Sequence, residues 1–292
     1  MLPSEVMRQV RRIQIRTSRM VNEFLSGQYE SIFKGQGIEF KEVRSYVPGD
    51  DIRAIDWNVT ARTGEPHVKV MAEERELTVM LLVDMSGSGR FGSVNRLKNE
   101  LAAELCAVLA FAAIQNNDKV GLMIFTDRVE LYVPPQKGRK HVLRVIREVL
   151  CHEPKGKGTD IAAALHYLNN VVRRRAVVFL VSDFMDDHYA DALRICNRRH
   201  DVIAATVTDP REEELPPVGL VNLRDAETGA EVLVNTRNAA FRRAYAEAAD
   251  TARRARDERL RKARVDVMNV RTDIPYVNEI HRFFRMRERR MR

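Results

Sequence analysis

"LTVMLLVDMSGSGRFGS", residues 77–93, decides the fold. Its first half, through Val83, is an apolar run that predicts a strand buried on both faces. Its second half is small, hydroxylated and glycine-rich. Asp84, Ser86 and Ser88 stand at alternate positions, with Gly87 and Gly89 between and after them. In an extended loop alternate side chains project the same way, and glycine lets the backbone turn without steric cost. A carboxylate and two hydroxyls therefore meet at a strand end. A catalytic centre, an ion site and an ordinary polar turn all fit that description.

Two more strands of the same texture lie downstream, "AVVFLVSDF" (176–184) and "DVIAATVTD" (201–209). Between the three strands run helical patterns: "RLKNELAAELCAVLAFAAIQ" with Leu97, Leu101, Leu105, Val108 and Ala112 in register, then "KHVLRVIREVL", "GKGTDIAAALHYLNNVV" and "YADALRICNRR". "KVGLMIFTD" and "RVELYVPP" read as two strands about a tight turn at Asp127-Arg128. Apolar strands separated by helices predict an α/β fold, a doubly wound and mostly parallel sheet with helices on both faces. Ligands of such sheets sit beyond the carboxyl ends of the strands. Asp84 ends the first apolar strand and Asp183 the second.

The flanking regions differ. Residues 1–75 read as an N-terminal amphipathic helix, with Val6, Val10, Ile13 and Phe24 near one face, followed by a small β-rich extension with turns at Pro48-Gly49 and Thr63-Gly64. Residues 76–292 form the α/β domain, carrying a β-hairpin at about 215–235 that turns at Glu227-Thr228-Gly229. A long helix follows, with Phe241, Tyr245, Ala248, Ala252 and Ala255 as its apolar seam. A strand, "VDVMNV", and a basic helix from about Tyr276 end the chain.

Composition narrows the class. The 292 residues are 45% apolar and 31% charged, which suits a soluble protein with a sizeable core. No run of ~18 apolar residues occurs, which argues against a membrane span. The first twenty residues interleave arginines with apolar residues and lack a signal peptide's apolar stretch, which predicts a cytoplasmic protein; a mitochondrial-type targeting peptide shares that look. Cys106, Cys151 and Cys196 form no CxxC pair, which argues against zinc and disulfide frameworks and predicts buried apolar thiols. The net charge of +8 is concentrated at one end. Residues 237–292 hold 17 Lys and Arg against 8 Asp and Glu, and the rest of the chain holds 32 against 33. A basic tail suits a solvated helix surface, nucleic acid, an acidic membrane or an acidic protein.

Three polar groups converge on the rim of the predicted sheet: Asp84 with Ser86 and Ser88, Thr159 beside Asp160, and Asp183. Carboxylates and hydroxyls are hard oxygen donors, suited to Mg²⁺ or Mn²⁺ (or Ca²⁺) rather than zinc. Hydroxyls are neutral, so an ion held this way keeps its attraction for a carboxylate from elsewhere.

"DMSGS", a threonine in a glycine-rich loop and "SDF" at the next apolar strand resemble, in order, the metal-ion-dependent adhesion site of von Willebrand factor A domains. Asp84, Ser86, Ser88, Thr159 and Asp183 each match one of its five positions, and residues 77–209 follow that family's Rossmann-like strand–helix order. Over nearly the whole chain, "GQGIEFKEVRSYVPGDDIRAIDWNVTAR" followed by such a domain resembles the bacterial domain-of-unknown-function family fifty-eight. That resemblance implies a non-catalytic, metal-dependent adaptor or co-chaperone of a MoxR-type AAA+ ATPase, in complex assembly or stress responses, engaging a client that presents Asp or Glu. The chain is expected to depart from many members in having no membrane anchor, and it has Gly89-Arg90 where an apolar residue commonly follows the second serine. Within the family signature, Trp57 is expected to pack on the α/β domain, and Asp50, Asp51 and Asp56 to pair with Arg44, Arg53 or Arg62; the alternatives are a docking surface for the ATPase and an acidic segment shared with the metal rim.

Other chemistries leave weaker traces. A metal-dependent hydrolase would recruit Asp186 and Asp187 beside Asp84 and Asp183, but those two also suit a helix cap near His188. "PKGKGTD" lacks the residue order of a phosphate-binding loop. Cys151 and His152 adjoin in sequence, which does not pair them in space. Nucleic-acid binding by the basic C-terminal helices lacks interleaved aromatic residues.

Overall fold

The computed structural model describes residues 29, 37–74, 76–94 and 96–291. The expected helix bearing Val6, Val10, Ile13 and Phe24 lies outside the described residues. Phe33–Leu77 and the rest of the described chain form two compact units.

In the smaller unit, β1 (Gly37–Ser45) and β2 (His67–Glu74) pair antiparallel, with a bulge between Phe40 and Glu42. The aspartates of the signature shape the connection between them. Asp51 caps a 3-10 turn at Ile52–Ala54 by accepting from Arg53 N, 2.9 Å away. Asp56 caps α1 (Trp57–Thr63), accepting from Asn58 N at 3.0 Å and Val59 N at 3.3 Å. Gly64, at φ 79°, ends that helix in the left-handed region that glycine adopts freely. Asp50 pairs with both terminal nitrogens of Arg44 at 2.7 Å, as expected. Asp51 and Asp56 instead serve backbone amides, and Asp56 has Lys69 as its cation at 3.5 Å. Trp57 is 65% exposed.

The larger unit is built on a six-stranded sheet. Its strands are β3 (Thr78–Asp84), β4 (Lys119–Phe125), β5 (Val129–Gln136), β6 (Val177–Ser182), β7 (Asp201–Thr208) and β10 (Asp266–Arg271). The order across the sheet is β10-β7-β6-β3-β4-β5, with every pair parallel except β4–β5. The helices α2 (Lys98–Gln115), α3 (Arg139–Cys151), α4 (Ile161–Val171) and α5 (Ala190–Arg199) alternate with the strands, as the patterning predicts.

Strand pleating divides the core. Met80, Leu82, Met123, Phe125, Val178 and Leu180 pack with Leu165 and Leu168 of α4, with Leu193 of α5 and with Leu260 of a later helix. Val79, Leu81 and Val83 alternate with them and so point to the other face, where they are equally buried. There α2 covers β3, β4 and β7. Burial on both faces is why these strands are apolar throughout; a leucine fully buried in one contributes about 1.5–3 kcal/mol.

Past β7 come a short helix, α6 (Pro210–Glu213), and the hairpin β8 (Leu220–Arg224) and β9 (Glu231–Asn235), which among the described residues pair only with each other. The long helix α7 (Ala239–Lys262), β10 and α8 (Tyr276–Met291) follow. Two expectations need correction. Ala248 and Ala252 are exposed, and α7 is shielded instead along Phe241, Tyr245, Ala249, Arg256 and Leu260. Cys106 and Cys196 are buried thiols, which burial pushes up to about 12, but Cys151 at the end of α3 is exposed. Among the described residues no helix is long and apolar enough to cross a membrane.

Candidate metal centre

The parallel strands deliver their carboxyl ends to one rim, and β3 ends there in Asp84, 8% exposed. Its Oδ1 accepts from Ser86 N at 2.9 Å and its Oδ2 from Ser182 Oγ at 2.6 Å. A 3-10 turn, Gly87–Arg90, then brings Ser86 Oγ and Ser88 Oγ within 3.1 Å of each other. Gly87 N donates to Lys157 O at 3.0 Å, tying this turn to the loop before α4. A Cβ on Gly87 would lie 2.4 Å from Ala226 O, so the close approach of the β8–β9 turn requires glycine.

At the end of β6 the chain passes through Ser182 and Asp183 to Phe184, a buried aromatic residue at φ 59°. A bulky residue in the left-handed region is strained, and such strain clusters at functional sites. Ser182 Oγ accepts from Phe184 N at 3.0 Å while donating to Asp84, so one hydroxyl links the bend to the neighbouring strand. Asp183 Oδ1 accepts from Met185 N at 3.3 Å, and Oδ2 takes a 2.7 Å hydrogen bond from Lys98 Nζ. Lys98 is 2% exposed and also reaches Glu212 of α6. Burial works against its charge, but Asp183 and Glu212 outweigh it and raise its pKa.

The third loop is shaped by Glu130 of β5. Its carboxylate accepts from Lys155 N at 2.9 Å and Gly156 N at 2.7 Å, and from Thr126 Oγ1; His152 Nε2 lies 2.8 Å away. Burial opposes ionisation there, yet these hydrogen bonds hold the carboxyl down to about 2. A Cβ on Gly156 would meet Asp127 Oδ1 at 2.1 Å and Thr126 Oγ1 at 2.2 Å. Asp160 caps α4 by accepting from Ala163 N at 2.8 Å. Thr159, just before it, donates from Oγ1 to Glu227 Oε1 at 3.1 Å.

Asp84, Ser86, Ser88 and Asp183 line one cleft with Lys98 and Asn99. Thr159 is not part of that lining; its hydroxyl faces Glu227 of the hairpin turn. The donors fit a small hard cation on two further counts. Asn99 Oδ1 is buried without a hydrogen-bond partner, an unmet acceptor at the cleft. Asp84 is raised to about 6, first by burial and then by the negative charge of Asp183, a conflict that a divalent cation relieves. Among the described residues no three His, Cys, Asp or Glu side chains gather in metal-ligating fashion, so a cation here relies on hydroxyls.

Sequence reading missed Lys98, Asn99, Glu130 and Glu227 as parts of this neighbourhood. It missed Ser182 as well, although that residue stands beside Asp183 in "VSDF". A lysine at a helix start and a glutamate in a hairpin turn have no local signature, because tertiary structure alone brings them to the rim.

The additional carboxylates of the hydrolase alternative are engaged elsewhere. Asp186 accepts from Ile161 N at 3.0 Å and His188 N at 2.8 Å, and Asp187 pairs with Arg259 at 2.5 Å. The helix near His188 begins at Ala190, with Tyr189 as its cap, so Asp186 fixes the turn before it and the start of α4. His152 is engaged with Glu130, not Cys151. In the basic C-terminal helices, Arg287 pairs with Asp201 and Asp266, Arg290 with Asp266, and Arg254 with Asp250.

Residues 42–255 match the family described as "Protein of unknown function DUF58". The uncharacterized proteins Rv1480 of Mycobacterium tuberculosis and Mb1516 of Mycobacterium bovis are each 35% identical over 283 residues, spanning 96% of this chain and 89% of theirs. Among solved structures, similarity extends to an aerotolerance-related membrane protein from Bacteroides fragilis (17% identity, TM-score 0.48, 74% of this chain and 100% of that one). It extends also to the SpRpn10 VWA domain (10% identity, TM-score 0.37, 70% of this chain and 94% of that one). With residues 42–255 matched by the family model and 96% of the chain aligned to relatives at 35% identity, the chain belongs to the DUF58 family.

Proposed function

We propose that this protein is a non-catalytic, cation-dependent interaction module. An ion of the Mg²⁺ class would be held by Asp84, Ser86, Ser88, Thr159 and Asp183, and its open side would take a carboxylate from a partner protein. The supporting observation is the cleft where Asp84, Ser86, Ser88 and Asp183 meet an unpartnered Asn99 oxygen. Neutral hydroxyls leave much of a dication's charge uncompensated, and a Mg²⁺-class ion wants six oxygens. A carboxylate from outside answers both demands. The family resemblance extends the reading to an adaptor or co-chaperone of a MoxR-type AAA+ ATPase, acting in the cytoplasm on complex assembly or stress response. The hydrolase alternative is weakened by the engagement of Asp186 and Asp187 elsewhere.

The test is calorimetric titration of Mg²⁺ and Mn²⁺ into the wild type and Asp84→Ala, with folding checked by circular dichroism. Capture of the purified cognate ATPase, with and without chelator, accompanies it. Saturable cation binding that Asp84→Ala abolishes in a folded protein is expected, as is capture that needs the ion. Capture surviving both chelator and Asp84→Ala would overturn the metal bridge.

A further inference from the structure

We propose that Glu227, in the β8–β9 turn, is a carboxylate that the chain supplies to its own cation site, so that a partner's carboxylate must displace the hairpin turn to bind. This rests on the cation-dependent reading above.

The hairpin turn touches both ligand loops. Glu227 Oε1 receives the Thr159 hydroxyl at 3.1 Å, one hydrogen bond from a candidate ligand. Its neighbour Ala226 presses its carbonyl against Gly87, between the two candidate serines, so closely that a Cβ there would sit 2.4 Å away. Among residues 224–230 only Glu227 is partly shielded from solvent. The turn is built to hold it so: Asp225 Oδ1 accepts from Glu227 N at 2.9 Å and Thr228 N at 2.8 Å, and Gly229 takes φ 75°.

The hairpin is also free to leave. Among the described residues its strands pair only with each other, and Leu220, Val232 and Leu233 are exposed. Its base is fixed: Thr236 Oγ1 donates to Gly219 O at 2.8 Å, and Arg242 to Thr236 O at 2.6 Å. An arm tied at its base, with little buried apolar surface along its length, has a low cost of opening.

The experiment titrates Mn²⁺ into the full-length wild type, Glu227→Gln and Asp84→Ala while following water-proton relaxation, which reports the waters left on the ion. Acetate serves as the carboxylate probe, and hydrogen exchange is read over residues 225–230. Glu227→Gln is expected to bind Mn²⁺ about tenfold more weakly, with higher relaxation per bound ion because water fills the vacated position. Acetate then lowers that relaxation at smaller concentrations than in the wild type. Mn²⁺ protects the 225–230 amides in the wild type alone. If the wild type and Glu227→Gln bind Mn²⁺ with equal affinity, relaxation and acetate response, Glu227 is not a ligand and the inference falls while the cation site stands. If the wild type binds no Mn²⁺, both readings fall.

Discussion

Two aspartates at the same rim of the sheet have opposite surroundings. Asp209, just after β7, is 0% exposed and accepts from Ser93 N at 2.9 Å, Arg211 N at 2.9 Å, Thr272 Oγ1 at 2.6 Å and Ser93 Oγ. Burial opposes its ionisation, and those four donors outweigh burial and hold it below the usual carboxylate range. Asp84, 8% exposed, is lifted to about 6 by burial and then by the like charge of Asp183, against hydrogen bonds from neutral serine donors alone. Both end strands where ligands of such sheets bind. Unmet demand therefore separates a site from a brace: Asp209 fastens the 93 loop and the end of β10 to β7, whereas Asp84 is held in place with its charge uncompensated.

The largest effect expected from this contrast is at the brace. Asp209→Ala strands the buried Thr272 hydroxyl and loosens part-buried donors on Ser93 and Arg211, and should cost about 2–3 kcal/mol in urea unfolding. The pH dependence follows from the lowered pKa: the contribution is complete above the unfolded carboxyl pKa of about 3.9 and fades as pH falls below it. A loss under about 1 kcal/mol would erase the distinction between the two aspartates.

Glu130 resembles Asp209 in kind but serves the candidate site, through the loop that carries Thr159. Glu130→Gln should cost on the order of 2 kcal/mol, an acid-sensitive contribution present above about pH 4.5 and lost toward about pH 2 as the folded carboxyl protonates. Mn²⁺ affinity should fall with it, because the loop loosens; unchanged affinity would show that Thr159 needs no such support. Gly156→Ala acts on the same loop by crowding Thr126 and Asp127, with about 1–2 kcal/mol expected in the same unfolding assay.

How far these roles were legible depends on the range of the physics behind them. The sheet could be read because burial on both faces forces uninterrupted apolar runs, as in "LTVMLLVD" and "AVVFLVSDF". Asp84 and Asp183 stood out because strand ends are predictable in such a sheet. Glu130 did not, since in "RVELYV" it resembles any solvent-facing strand residue. Lys98 and Glu227 stayed hidden for a related reason: each reaches the rim across more than sixty residues of chain, through a contact that no local pattern encodes. Cys151 misled in the opposite sense, because a typically buried residue type lies at an exposed helix end.

The smallest effect is the most discriminating. Asp84→Asn keeps the side chain's shape and an oxygen for Ser86 N while removing the charge. Because the folded pKa of Asp84 lies above its unfolded value, the ion-free folded state holds a proton that the unfolded chain releases. Ion-free wild type should therefore lose stability as pH rises from about 4 to about 6 and level off above. The asparagine variant lacks that decline, so in chelator at pH 7.5 it should match the wild type or exceed it by up to about 1 kcal/mol, since weaker hydrogen bonds offset part of the gain. Adding Mn²⁺ should reverse the order by stabilising only the protein whose carboxylate helps hold the ion. A variant less stable by about 2 kcal/mol in chelator would make Asp84 a brace like Asp209, and its place at the head of the metal set would be lost.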